Sequence, residues 1–412
     1  MTGTGDPVVI VGAGHGGATL AALLRQSGYT GGVVLVGSEV HHPYHRPPLS
    51  KKFAGPEAHQ LLRPAEFYSG NDIRLRLGTA VTAIDRSAMR VRLADGTELG
   101  YRALVLATGS TPRPLPVPGA DAAGVLTLRT LDDARALGAA LERGDRLAIV
   151  GGGYVGMEVA AVARSSGIAV TVVEREERVL ARVAGAELSR RLTDAHRLRG
   201  TEIRTGAQVR AIRTADGRAR GIELADGTLV AADTVLVGIG AAPDDGLAHR
   251  SGLACDGGVL VDEQGRTSDP AVFAIGDVAR RPLPGTDGPV RLESIPNVTE
   301  QARQVTAALL GAAHPAPEVP WFWSDQFDLK LKIAGLVGPG HRVVAREGRK
   351  PGAFALFHLT PGNTVAAVET ANAPGDFVAG KKLVGDRTPV DPVRLADPAV
   401  SLRDIAATGA GV

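Results

Sequence analysis

Along the chain, short apolar runs that stop at glycine alternate with stretches of helical period. "PVVIVGAG" is followed by a helix-like segment from Gly17 to Ser27 and then by the apolar run "GGVVLVGSE". The same succession returns in "RLAIVGGG", a helical stretch from Tyr154 to Ser166, and "IAVTVVERE". An apolar strand that turns at glycine into a helix and returns as a strand is the layout of a nucleotide-binding half. The pattern therefore predicts two such halves. "MRVRLADGTELGYRALVLATGS" and "ARGIELADGTLVAADTVLVGIG" each predict two alternating strands joined at Asp-Gly, then an apolar strand closed by glycine. Their likeness points to an internal duplication. A helix is predicted over Thr299 to Leu310, and "LKLKIAGLVG", "RVVARE", "AFALFHL" and "TVAAVETA" read as strands.

Proline-rich "TPRPLPVPGA" and "HPAPEVP" mark crossovers between domains. With 412 residues the chain exceeds one ordinary hydrophobic core. The expected class is α/β, with two Rossmann-like dinucleotide-binding domains and a C-terminal α/β domain. Residues 1–111 and 242–320 form the first, discontinuous domain in this reading. Residues 112–241 form the second and 321–412 the third.

Composition narrows the partners. A hydrophobic content of 44% with 22% charged residues is that of a soluble globular protein. A net charge of +2 supports neither nucleic acid nor an anionic membrane as partner. The most apolar stretch, Leu147 to Ala163, is broken by Gly151, Gly152, Gly153, Gly156 and Glu158 and makes a poor membrane span. Met1 to Pro7 lacks the basic start and apolar core of a secretory signal, so a cytoplasmic location is expected. The single cysteine, Cys255, excludes an intrachain disulfide and any CxxC redox pair.

Gly12, Gly14 and Gly17, with Gly16 beside them, fit GxGxxG between strand and helix, and Glu39 ends the next strand. Glycines let the backbone approach a pyrophosphate at the helix N-terminus, and the acid accepts from ribose hydroxyls. Gly151, Gly153 and Gly156 repeat the pattern, with Glu174 ending the following strand. A carboxylate there favours a free 2′-hydroxyl, hence NADH, while Arg175 and Arg178 leave room for NADPH. In "VFAIGDVA", Gly276-Asp277 is either a helix N-cap or part of a flavin's ribityl-pyrophosphate site.

"PYHRPPLSK", "ATGS", "GGGYVGMEVA", "AIGDVA", "ESIPNVTEQAR" and "VPWFWSDQFDLKLKIAGL" run from residue 8 to about residue 337. On these the chain resembles the NADH-dependent, FAD-containing ferredoxin reductases of bacterial oxygenase systems, within the larger glutathione reductase-like fold. The resemblance implies FAD in the first fold, NADH in the second, and a C-terminal domain that covers the flavin and helps receive an iron–sulfur protein. It further implies that Arg46 and Lys51 lie against FAD, with Lys51 at the reactive edge, where a cation favours the reduced flavin. Pro47 and Pro48 would stiffen the loop that aims Lys51. Glu158 would pair with Lys51 from the NAD-side helix, unless it is an ordinary acid near a helix start. Thr108 and Gly109, Val81, Arg129, Ile295 and Trp323 map to further flavin contacts. Tyr154, Val155 and Gly240 map to the NAD site. Trp321 reads as a core residue.

The implied partner is a small [2Fe–2S] ferredoxin with an acidic surface, feeding a haem-thiolate or ring-hydroxylating oxygenase. Lys330, Lys332, Arg342, Arg346, Arg349 and Lys350, against only Glu347, offer either a docking surface or a solvated strand face. His41, His42 and His45 lack the Cys or carboxylate companions of a metal site, and none is expected. His15 receives no role. Two alternatives stay open. One is a thiol-dependent NADH oxidase, peroxidase or disulfide reductase of the same fold, which needs a cysteine that 40–55 lacks. Cys255 reads instead as a small buried hydrophobe. The other is a non-catalytic flavin-binding regulator resembling apoptosis-inducing factor.

Overall fold

In the computed structural model, which describes residues 5–53 and 55–408, the run Val8–Val11 is the middle strand of a five-stranded parallel sheet. The strand order is 272–274, 103–106, 8–11, 33–36, 73–76. Successive residues of Val8–Val11 are buried alternately among two cores, one on each face of the sheet. A parallel strand covered on both sides has no polar face, which is why the run is unbroken apolar sequence. Helices His15–Gln26 and Ile295–Leu310 contribute to one of these cores. This sheet belongs to a compact unit made of the described residues up to Arg46, His59–Thr111 and Ala241–Glu318.

The second unit holds Pro47–Ala58, Pro112–Gly240 and the chain from Val319 on. Its parallel sheet has the order 202–204, 169–173, 146–150, 234–237, 125–126, with helix Tyr154–Ser165 following the central strand. Three-stranded antiparallel sheets accompany each parallel sheet, over 81–100 and 209–231. Each contains a strand beyond the two alternating ones read from sequence, Val81–Asp85 and Val209–Ala215. The C-terminal part of the second unit is a five-stranded antiparallel sheet in the order 321–326, 329–335, 365–371, 354–359, 342–347. Helix Pro374–Asp386 packs on it through Phe377 and Leu383.

Three local details differ from the sequence reading. The first helix begins at His15, so Gly16 and Gly17 lie inside it. The helix ending at Leu310 begins at Ile295, where Ser294 accepts from the Asn297 N–H at 3.3 Å and Pro296 occupies the first turn. "WFWSDQ", singled out as a motif, is itself a strand, Trp321–Gln326. Among the described residues no helix is long and apolar enough to cross a membrane.

Candidate active site

The two glycine turns have the same construction. Gly12 has φ +114°, and a Cβ on it would lie 2.1 Å from the Ala107 carbonyl oxygen; Gly151 has φ +107° and the same problem at 2.4 Å from the Gly238 oxygen. A Cβ on Gly17 would meet the Gly12 oxygen at 2.0 Å, and one on Gly156 the Gly151 oxygen at 2.4 Å. These four positions are closed to side chains by the backbone. Gly14 and Gly153 differ: a Cβ on Gly14 has only the Arg46 guanidinium near it, at 3.9 Å, and one on Gly153 meets nothing within 4 Å. Each is the N-cap of its helix and brings no side chain to it. Each turn thus leaves open space beside the N–H groups of a helix start, a cradle of the kind a dinucleotide pyrophosphate fills.

Both cradles carry their acid. Glu39 is held by Arg46 at 2.6 Å and by the Tyr44 hydroxyl at 2.5 Å. Glu174 accepts from the Gly152 N–H at 2.6 Å and from the Glu176 N–H at 2.8 Å. Sequence reasoning assigned Arg46 and Glu39 separately, whereas the structure joins them. His15, at the first helical position, has its Nδ1 buried without a hydrogen-bond partner. Burial, then the nearby His45 and Arg63, push its pKa down to about 4, so it is a neutral imidazole.

The other predicted residues distribute as follows. The first unit also holds Val81, at the start of its strand, and Ile295, at the start of its helix. The Thr108 hydroxyl donates to the Asp244 carbonyl at 2.7 Å, and Gly109 has φ +76°. Gly276 and Asp277 lie in a 3-10 turn, Gly276–Val278, with Asp277 accepting from Ser110 at 3.1 Å. The second unit holds Lys51, Arg129 and Trp323, together with every predicted NAD-site residue. The Arg129 N–H donates to Asp133 at 2.9 Å, just before the capped helix Leu131–Leu141. Val155 is exposed, and Gly240 has φ +100°. Trp323 is half-buried, its ring 5.8 Å from Trp321, which packs against Phe377 at 5.6 Å.

The proline-rich stretch forms a 3-10 turn, Pro47–Ser50, whose Leu49 and Ser50 are buried. It sets Lys51 Nζ 2.7 Å from Glu158 Oε2. Proline's fixed φ suits the first positions of such a turn. Ser50 donates to the same Glu158 oxygen, and Ser324 donates to Oε1 at 2.6 Å. Neither serine was proposed from sequence, although each stands inside a motif already noted, "RPPLSK" and "WFWSDQ".

Two expectations are corrected. Arg346 is no surface cation: it is buried, donating to the carbonyls of Asp397 at 2.5 Å and Val400 at 2.8 Å. Lys332 is half-buried, with Nζ 5.3 Å from the Phe377 ring centre, and Glu347 is bound by Arg191 at 2.5 Å. The exposed cations of that stretch are Lys330, Arg342, Arg349 and Lys350. Cys255 is half-buried rather than buried, and burial, then Asp245, raises its thiol pKa.

Residues 6–304 match the pyridine nucleotide-disulphide oxidoreductase family and 321–406 the reductase C-terminal family. The chain is 47% identical over 405 residues to a probable ferredoxin reductase, CtmF, of Castellaniella defragrans, covering 97% of this chain and 99% of that one. It is 41% identical over 410 residues to putidaredoxin reductase CamA of Pseudomonas putida, covering 98% and 97%. Among solved structures, the covalent putidaredoxin reductase–putidaredoxin complex matches with a TM-score of 0.94 at 40% identity over the full length of both chains.

Proposed function

The chain belongs to the pyridine nucleotide-disulphide oxidoreductase family, among its ferredoxin reductases, and we propose that it is an FAD enzyme that takes hydride from NADH and passes single electrons to a [2Fe–2S] ferredoxin serving an oxygenase. The observation that carries this reading is the duplicated cradle, two glycine turns that open onto helix N-termini and each carry an acid. Bound FAD supplies the conversion of a two-electron hydride into one-electron transfers. The rest is work for the chain's own groups.

In this reading the N–H groups at Gly14 and His15 receive the FAD pyrophosphate, and Glu39, oriented by Arg46 and Tyr44, accepts from the ribose. An ionised carboxylate has about four lone-pair sites, so its two internal partners leave capacity for a sugar. Gly153, Tyr154 and Glu174 do the same for NADH. Arg178 does not argue for a 2′-phosphate, because its guanidinium is engaged with the carbonyls of Ala184 at 3.0 Å and Ala181 at 2.9 Å. Lys51 presents a cation to the flavin's redox edge, and Glu158 balances that charge. No general base is required for hydride transfer.

The sequence division into an FAD-binding part (1–111 and 242–320), an NAD-binding part (112–241) and a C-terminal interface part (321–412) belongs to the same proposal. So does a cytoplasmic location, where NADH is supplied, and an acidic ferredoxin meeting the exposed Lys330, Arg342, Arg349 and Lys350. A thiol mechanism is disfavoured, since Cys255, which pairs through its backbone with Val259, has a raised pKa and so little of the thiolate that such chemistry needs.

The test is purification followed by NADH-driven reduction of an acidic [2Fe–2S] ferredoxin. The expected protein is yellow, carries one FAD, and works equally well as Cys255→Ser. A colourless protein that FAD does not reconstitute would overturn the reading. Loss of turnover in folded, FAD-loaded Cys255→Ser would favour the thiol alternative.

A further inference from the structure

Behind Glu158 the second unit contains a line of buried polar side chains that leads to that carboxylate. Ser324 donates to Glu158 Oε1 at 2.6 Å, Gln326 Nε2 lies 3.2 Å from Ser324 Oγ, and His196 Nε2 lies 3.0 Å from Gln326 Oε1. Thr201 Oγ1 ends the line, 3.4 Å from His196 Nδ1. Glu158, Ser324, Gln326, His196 and Thr201 are all buried.

Their alignment follows from geometry. Alternate residues of strand Trp321–Gln326 point to one face. On that face Phe322 meets Tyr154 at 4.9 Å between ring centres, Ser324 meets Glu158, and Gln326 meets His196. Tyr154 and Glu158 are one turn apart on their helix, so a two-residue step on the strand matches a four-residue step on the helix.

The charge on Glu158 dictates the direction of every link. A carboxylate beside Lys51 has no proton to give, so the Ser324 hydroxyl must spend its hydrogen on it and accept from Gln326. That orients the Gln326 amide, with its oxygen toward His196, and His196 must donate from Nε2. Burial pushes the His196 pKa down to about 4, which leaves Nδ1 unprotonated to accept from Thr201. All donors point toward Glu158. Bonds to an ionised group are roughly twice as strong as neutral ones, so the line is oriented by the carboxylate and holds it in return.

We propose that Ser324, backed by Gln326 and His196, is a positioning residue that fixes Glu158 against Lys51 for NADH oxidation. This rests on the function proposed above. The expected consequence is that Ser324→Ala slows reduction of the bound flavin by NADH about tenfold, the scale of one hydrogen bond to a charged group. Ser324→Thr keeps the donor and should restore most of the rate, and Gln326→Met, one link removed, should cost about threefold.

The experiment is stopped-flow reduction by NADH of the FAD-loaded parent, these variants, Glu158→Gln, and the double variant. A second readout needs no turnover: urea unfolding of the same proteins, taken as a double-mutant cycle. If Ser324 acts through the carboxylate, Ser324→Ala costs less than threefold in rate, and less stability, once Glu158 is Gln. Equal losses in both backgrounds, or no rescue by Thr, would overturn the proposal and leave the line as core packing. Should Ser324→Ala fail to fold, Gln326→Met in the two Glu158 backgrounds decides the same question. A parent that binds no flavin, or that NADH does not reduce, would refute the function itself, which is a separate outcome from variants that match an active parent.

Discussion

Lys51 Nζ lies 2.7 Å from Glu158 Oε2, with side chains only 17% and 6% exposed, and the neighbouring Ser50, 108 positions before Glu158, donates its hydroxyl to the same carboxylate. A pair this sheltered is costly to break from one side, because the remaining charge is left without its partner. The pairing also makes the two residues' effects on a bound flavin interdependent.

Lys51→Met should leave most FAD binding intact, since the pyrophosphate cradle and Glu39 lie in other segments. Loss of one screened charge interaction of about 1–3 kcal/mol lowers a two-electron potential by about 20–60 mV. Reduction by NADH should slow in step. Removing Glu158 as well should partly offset the loss, so spectroelectrochemistry and stopped-flow on the double-mutant cycle should be non-additive. An unchanged potential in Lys51→Met would exclude a role at the redox edge.

Glu174→Ala should narrow the preference for NADH over NADPH. On the proposed NADH assignment the carboxylate, fixed by the Gly152 and Glu176 N–H groups, opposes a 2′-phosphate at the end of its strand. The measurement is kcat/KM for both nucleotides. Equal values in the parent would refute the assignment.

Gly12→Ala and Gly14→Ala separate fold from cofactor. The first forces a Cβ to 2.1 Å from the Ala107 oxygen at φ +114° and should destabilise by about 1–3 kcal/mol or more, with loss of FAD. The second meets only Arg46, at 3.9 Å, and should unfold at nearly the parent's urea concentration while binding FAD more weakly. Identical behaviour of the two variants would argue against an open cradle at Gly14.

His196 makes stability depend on acid. Its pKa falls from 6.5 in the unfolded chain to about 4 in the fold, chiefly through burial. Between these values the unfolded state binds the extra proton, so stability is full above pH 6.5 and declines as pH falls toward 4. The loss from this group amounts to about 3 kcal/mol at the lower end. His15 shifts in the same direction. Urea unfolding of His196→Gln should show a flatter dependence than the parent in that window, and parallel curves would contradict the assignment.

Much of this protein was legible in its sequence because the relevant constraints are local. Gly12 and Gly151 announce their turns since only glycine sits at those positive φ values against a neighbouring carbonyl. Val8–Val11 and Arg146–Val150 announce parallel strands through apolar runs without a polar face. Lys51 and Glu158 were paired by resemblance, from motifs that lie far apart in the chain. What sequence could not supply were partners chosen by packing. Ser324 reaches Glu158 across 166 positions, and His196 meets Gln326 across 130. Arg346 looked like a docking cation among other basic residues, yet its place on strand Arg342–Glu347 turns it inward, where the carbonyls of the C-terminal segment take up its guanidinium. A turn or a strand is decided by backbone sterics and side-chain period within a few residues. Which buried donor satisfies which buried charge is decided only when distant segments close on each other, since unmatched polar groups are excluded from the core at that stage.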